Sequence, residues 1–235
     1  MTDPVAFRPI TPGTQPPYDA PEYGSTHKRH PKQALLRLPQ TLTEVSAPRM
    51  SPTHYPADVD MSKVNGREAM GERIIVAGRV LDEDGRPVRG AMVEVWQANA
   101  AGRYHHPNDT HDAPLDPNFT GLARVFADDE GWYRYTTVRP GAYPWRNHKN
   151  AWRPVHIHYS LFGQGFAQRL ITQMYFPGDP LLPLDPVFNS VPDGAARDRL
   201  VAQFDLDITA PEYALGYRFD IVLRGREATP MENRS

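Results

Sequence analysis

The chain has 235 residues, 40% of them hydrophobic and 23% charged, with a formal net charge of −2. That is room for one sizeable domain with a buried core, and it offers no basic block for nucleic acid or an anionic membrane surface. Cysteine is absent, so disulfides and every thiolate metal site are excluded.

Residues 1–70 read as a Pro-rich arm that wraps a subunit. "TPGTQPPYDAPEYGS" can be neither a helix nor a central strand. A turn or two of helix is expected in "PKQALLRLP", where Leu35, Leu36 and Leu38 are too apolar for a free linker. "MTDPVAFRPI" lacks a basic segment followed by an apolar run, and no apolar stretch reaches membrane-spanning length. A cytoplasmic location is the expectation.

Residues 71–235 read as a β-sandwich with long loops and little helix. "RIIVAGRVLDEDGRPVRGAMVEVWQA" alternates apolar and polar residues around an Asp-Gly turn, with Ile75, Ala77 and Met92 as candidates for buried faces. Further strands are expected at Leu122–Ala127, Trp132–Thr137, Val155–Leu161, Arg169–Tyr175 and Tyr217–Leu223. "DDEGWY" supplies another hairpin turn. "PDGAARDRLVAQFD" is the one convincing helix, with Asp193 as its N-cap. Many short strands with Gly/Pro turns predict a mainly β sandwich.

"RPVHIHYS" carries the chemistry. Side chains at i and i+2 of a strand share a face, so His156 and His158 project together while Ile157 turns to the core. Two imidazoles so placed are either a pair of metal donors or part of a solvated face. No histidine follows His158, and the nearest downstream carboxylate, Asp179, sits in the turn "FPGDP". Further donors must come from upstream, where Tyr104 in "AGRYHH" and Tyr143 in "PGAYPWRN" occupy Gly/Pro-marked loops. Each tyrosine alone is explained equally by aromatic packing. Together, two phenolates and one hydroxide would balance Fe³⁺ and leave two neutral histidines to complete five ligands.

The run "AGRVLDEDGRPVRGAMVEVWQANAAGRY" resembles the signature of the intradiol ring-cleaving dioxygenases. "LDPNFTG", "PGAYPWRNHKNAWRPVHIH", "ITQMYFPGDPL" and "YRFDIVLRG" extend the likeness over residues 71–226, and it reaches weakly into the arm through "PKQALLRLPQ". The best match is to the iron-bearing β-type subunits of that family. The resemblance implies one non-haem Fe(III) per chain, held by Tyr104, Tyr143, His156 and His158. It implies insertion of both atoms of O₂ between the hydroxyl-bearing carbons of a catechol, with Tyr143 as internal base. Arg153 would stabilise charge developing on the ring, and Gln173 would lie beside it. Tyr23, Trp145 and Val187 would wall the pocket. The implied partner is an α subunit without iron ligands, in αβ units of a larger symmetric assembly; the expected substrate is a carboxylated catechol. Catechol or hydroxyquinol as substrate, and a transthyretin-like binding module without iron, are the alternatives. The other histidines, His27, His30, His54, His105, His106, His111 and His148, have no assigned partner. No nucleophile elbow, P-loop or dinucleotide fingerprint occurs.

Overall fold

The computed structural model describes residues 10–36, 50–146, 149, 151–163 and 169–232. In chain order the strands are β1 (Lys63–Val64), β2 (Arg67–Glu68), β3 (Arg73–Leu81), β4 (Met92–Trp96), β5 (Leu122–Phe126), β6 (Trp132–Val138) and β7 (Tyr143–Pro144). They continue as β8 (Trp152–Arg153), β9 (His156–Phe162), β10 (Arg169–Tyr175), β11 (Gln203–Phe204), β12 (Leu215–Arg218) and β13 (Ile221–Val222). Among the described residues the helices are short: α1 (Thr26–Arg29), a 3₁₀ turn at Leu182–Leu184, α2 (Pro186–Asn189) and α3 (Gly194–Asp198). The expected β-sandwich is what forms.

One sheet runs β10-β9-β4-β5, every pair antiparallel. The second is built on β3, with β6 antiparallel to it and β12 and then β13 parallel to it. Period-2 alternation decides what lies between them. Val93 and Val95 of β4, Ile157, Tyr159 and Leu161 of β9, and Leu170 and Met174 of β10 face inward. They meet Ile74, Val76 and Val80 of β3 and Tyr133 and Tyr135 of β6 in one buried cluster. Two hydroxyls in this core satisfy each other, Tyr135 Oη and Tyr159 Oη at 2.6 Å. Met61 is also fully buried in that cluster, and Asp58 and Asp60 bridge to Arg124 and Thr136. The chain is thus engaged with the sandwich before β3 begins.

The alternate residues of β4, β9 and β10 point away from this core. Trp96, His158 and Gln173 form one row across the three strands, and His156 pairs with Tyr175 in the next. A solvated face would leave these exposed, yet His156, His158, Gln173 and Tyr175 are all buried. What covers them is loop: the β7–β8 hairpin, the segment after β4, the Pro180–Asn189 stretch and the C-terminal tail. The tail is laid along β10 by the Glu232 amide donating to the Ile171 carbonyl at 2.9 Å.

Three expectations need correction. "PKQALLRLP" forms no helix over Pro31–Leu36, and Leu35 and Leu36 stand exposed; Leu38 lies outside the described residues. Among the described residues the arm's helix is α1, and the arm binds this chain through Gln15, which donates to the Thr229 carbonyl and accepts from the Met231 amide. The helix after Asp193 stops at Asp198. Asp193 does cap it, accepting from the Ala196 amide at 2.7 Å. Beyond it, Leu200 and Ala202 exchange hydrogen bonds with Tyr175, which extends the sheet and ends the helix. The expected strand Tyr217–Leu223 is broken into β12 and β13, because the Asp220 side chain takes the Arg79 amide in place of a backbone carbonyl. Among the described residues no helix is long and apolar enough to cross a membrane.

Candidate metal centre

Two glycines bring the tyrosine loops together. Gly102 has φ of +80°, and a Cβ there would collide with the Ala142 carbonyl; one on Gly141 would collide with the backbone of Ala100–Gly102. Only bare backbone allows this approach. Asn99 ties both loops: its side-chain oxygen accepts from the amides of Ala101 and Arg103, and its carbonyl accepts from Gly141 at 2.9 Å. The Asp109 carboxylate takes the Tyr104 amide at 2.7 Å. The Tyr104 and Tyr143 rings consequently meet edge to face, 5.2 Å between centroids.

Those phenols turn toward the histidines. Tyr143 Oη lies 3.2 Å from His156 Nε2, and Tyr104 Oη lies 3.1 Å from His158 Nε2. The other ring nitrogens are held from behind. His156 Nδ1 donates to the Pro154 carbonyl at 2.7 Å, and His158 Nδ1 faces the Glu232 carboxylate at 3.3 Å. This leaves the Nε2 lone pairs aimed inward, the arrangement that orients an imidazole ligand. His158 is further clamped by Trp96, whose ring lies parallel to it at 4.8 Å.

The donor set fits a cation. Two ligands on bonds of about 2.1 Å at a right angle stand about 3 Å apart, close to the two phenol–imidazole separations. Burial pushes the Tyr104 phenol well above its ordinary range, and the neighbouring Tyr143 adds to this. Burial raises Tyr143 as well, against the pull of Arg153. Burial keeps His156 neutral, with its neighbours Arg153 and His158 acting in the same direction. Burial pushes Glu232 up, but its hydrogen bond and proximity to His158, with Gln173 and Arg153 adding to them, together outweigh this and hold it below the usual carboxylate range. Two imidazoles and two phenols that ionise only beside a positive charge suit a hard trivalent metal. A second group, Asp19, His27 and His30 on the arm, also clusters, but it is open to solvent and the Lys32 ammonium sits 3.1 Å from His30 Nε2.

Arg153 is not a solvated strand-end charge. It pairs with Tyr143 across the β7–β8 hairpin and is 2% exposed. Its Nε donates to Asp185 Oδ1 at 2.8 Å, and its Nη2 to the Gln173 side-chain oxygen at 2.5 Å. Asp185 is fully buried, and its charge holds the guanidinium protonated despite the cost of burial. Tyr23, Trp145 and Val187 come together: Tyr23 and Val187 pack in one small cluster against Trp145, whose ring also meets the Arg153 guanidinium at 5.1 Å. Asp179 is no ligand; it caps the start of β9 by accepting from the Val155 amide. His105 and His106 point to solvent, and His148 lies outside the described residues.

Trp96, Asp185 and Glu232 belong to this assembly without having been singled out from the sequence. Trp96 had a usable signal, being an aromatic on the same strand parity as the polar Glu94 and opposite the valines. Asp185 and Glu232 had none, since each reaches its partner across a long sequence separation.

Comparisons place these features among known proteins. Residues 45–225 match the family described as Dioxygenase, and residues 8–41 match that described as Protocatechuate 3,4-dioxygenase beta subunit N terminal. The chain is 56% identical over 235 residues to the protocatechuate 3,4-dioxygenase beta chain of Burkholderia cepacia, covering 99% of this chain and 100% of that one. It is 32% identical to the alpha chain from the same organism, over 68% of this chain and 77% of the other. Hydroxyquinol 1,2-dioxygenase of a Rhizobium species is 31% identical, over 58% of this chain and 46% of its own length. Among solved structures, hydroxyquinol 1,2-dioxygenase from Pseudomonas putida DLL-E4 superposes with a TM-score of 0.55 at 25% identity, covering 71% of this chain and 59% of that one.

Proposed function

Because the chain belongs to the intradiol ring-cleavage dioxygenases, we propose that it cleaves protocatechuate (3,4-dihydroxybenzoate) with O₂ to 3-carboxy-cis,cis-muconate. The observation that carries this reading is the convergence of two buried imidazole Nε2 atoms and two phenol oxygens, with both Nδ1 atoms engaged behind them. The full-length likeness to a protocatechuate-cleaving beta chain and the match of the arm favour this substrate over catechol or hydroxyquinol, whose enzymes this chain covers by about half. A sandwich module without iron leaves the four converging donors unexplained.

Tyr104, Tyr143, His156 and His158 would hold one non-haem Fe(III) per chain. Bound there, the metal supplies Lewis acidity and a template for a chelating catecholate. The remaining work falls to the protein. A catechol must shed two protons to chelate; one would leave as water with a hydroxide, and Tyr143 Oη is our candidate to take the other as internal base. That leaves Tyr104 as the constant anionic donor and limits the change in net charge within a buried site. Arg153, fixed in charge, would offset negative charge on the ring, and Gln173 would lie alongside. Tyr23, Trp145 and Val187 would exclude water from the ring face. An α chain, of the kind that accompanies the relative from Burkholderia cepacia, would complete the catalytic unit and help bind the substrate carboxylate.

The test is the visible spectrum of the chain produced together with its α partner, before and after anaerobic addition of protocatechuate. A phenolate-to-Fe³⁺ charge-transfer band that shifts on addition supports tyrosine ligation and catecholate binding together. A colourless protein, with zinc or with no metal, removes the reading.

A further inference from the structure

Arg153 is anchored along one edge only. Nε and Nη2 are taken by Asp185, Gln173 and the Tyr175 hydroxyl, while Nη1 has no hydrogen-bond partner among the described residues. The Asp185 carboxylate does three things at once. It forms a bidentate pair with Arg153, it accepts from Tyr175 Oη at 3.0 Å, and it caps α2 by accepting from the Phe188 amide at 3.1 Å. The second residue of α2 is Val187, which packs against Tyr23 beside Trp145. One buried carboxylate therefore sets the azimuth of the guanidinium and, through α2, the position of Val187 beside Trp145.

We propose that Asp185 is a positioning residue: it locks Arg153 by its Nε/Nη2 edge so that Nη1 is presented to the substrate ring, and it holds the Val187 wall in register with that charge. This rests on the reading of the site as a ring-cleaving centre. Tyr175 is the accessory of the same device, since its hydroxyl bridges Asp185 and Gln173. A bidentate carboxylate fixes the plane of a guanidinium as well as its place, which a single neutral acceptor does not.

The experiment compares wild type with Asp185→Asn, Tyr175→Phe, Arg153→Gln and the double variant Arg153→Gln/Asp185→Asn, each made together with the α partner. Asp185→Asn keeps shape and an acceptor for the Phe188 amide but drops the charge. The expected result is a fall in kcat per bound iron of about 10- to 100-fold, the scale set by small misplacement of a catalytic group. Iron content and anaerobic protocatechuate affinity should stay within about threefold. Independently of iron, the Arg153 Nε–H signal in the metal-free protein should exchange slowly with solvent in wild type and rapidly in Asp185→Asn. The double variant should be no slower than Arg153→Gln alone, because the two residues act in series. Unchanged kcat per iron in Asp185→Asn, with only a lower Tm, would reduce Asp185 to a helix cap and overturn the proposal. Should that variant fail to fold, Tyr175→Phe decides: a smaller fall in kcat with faster Arg153 exchange supports it, and wild-type values of both sink it. Wild type that fails to cleave protocatechuate would instead overturn the underlying reading, with the Nε–H exchange still showing whether Asp185 locks Arg153.

Discussion

Trp96 and His158 are register partners on neighbouring strands, and their rings lie within 2° of parallel at 4.8 Å. With Glu232 behind Nδ1, the imidazole has no free rotation left. Trp96→Leu keeps apolar bulk and removes the flat stack. We expect iron to be retained at the start but to leave faster, with chelator-driven loss about tenfold quicker, on the scale of other residues that orient metal ligands. A loss rate equal to wild type would show that the stack does not matter to metal retention.

His158→Ala should yield protein without iron, measured by metal analysis. Glu232→Gln leaves the ligand but weakens its support, and metal affinity should fall by about 10- to 100-fold in competition with a chelator. Full occupancy in His158→Ala would count against it as a ligand.

Tyr143→Phe removes the proposed internal base and one donor of four. It should keep iron, with an altered charge-transfer band, and turn over about 10²- to 10⁴-fold more slowly. Wild-type rates in this variant would end the base assignment.

Gly102→Ala places a side chain at φ +80° against the Ala142 carbonyl. Backbone strain of about 1–3 kcal/mol adds to overpacking of similar size. The tyrosine loops should separate, so iron loading should fail at temperatures where circular dichroism still reports a folded sandwich. Normal loading would mean the loops approach by some other route.

Tyr159→Phe tests the separation of the two sheet faces. Tyr159 follows His158 directly but points into the core, bonded to Tyr135. Leaving one buried hydroxyl unpaired costs about 1–3 kcal/mol, several degrees of Tm for a chain of this size. The iron spectrum should not change; a shifted band would mean that the faces communicate.

Alternation made much of this legible in the sequence. Ile157 between two histidines announced a strand with different business on its two sides, and Gly102 and Gly141 stood in the motifs that hold Tyr104 and Tyr143. The candidate metal residues and Arg153 could be picked out by likeness. Their supports could not, because an ion pair such as Arg153–Asp185 depends on a loop folding back from 32 positions away, which no local pattern encodes. The stretch after Asp193 misled for a different reason. Leu200 and Val201 suit either a helix face or a strand edge, and it was the free edge offered by Tyr175 that chose.

The Glu232 contact has a bearing on how the protein is made. The carboxylate that steadies His158 is synthesised 74 residues after it. On the ribosome, the sandwich strands and all four candidate donors emerge before the group that fixes one of them. A nascent chain would therefore hold a loose version of the site, free to sample whatever cation is abundant and to release it again. Tight, selective retention would begin only once the Glu232 segment has zipped along β10, so docking of that segment, and not assembly of the donors, would be the step that holds a metal in place.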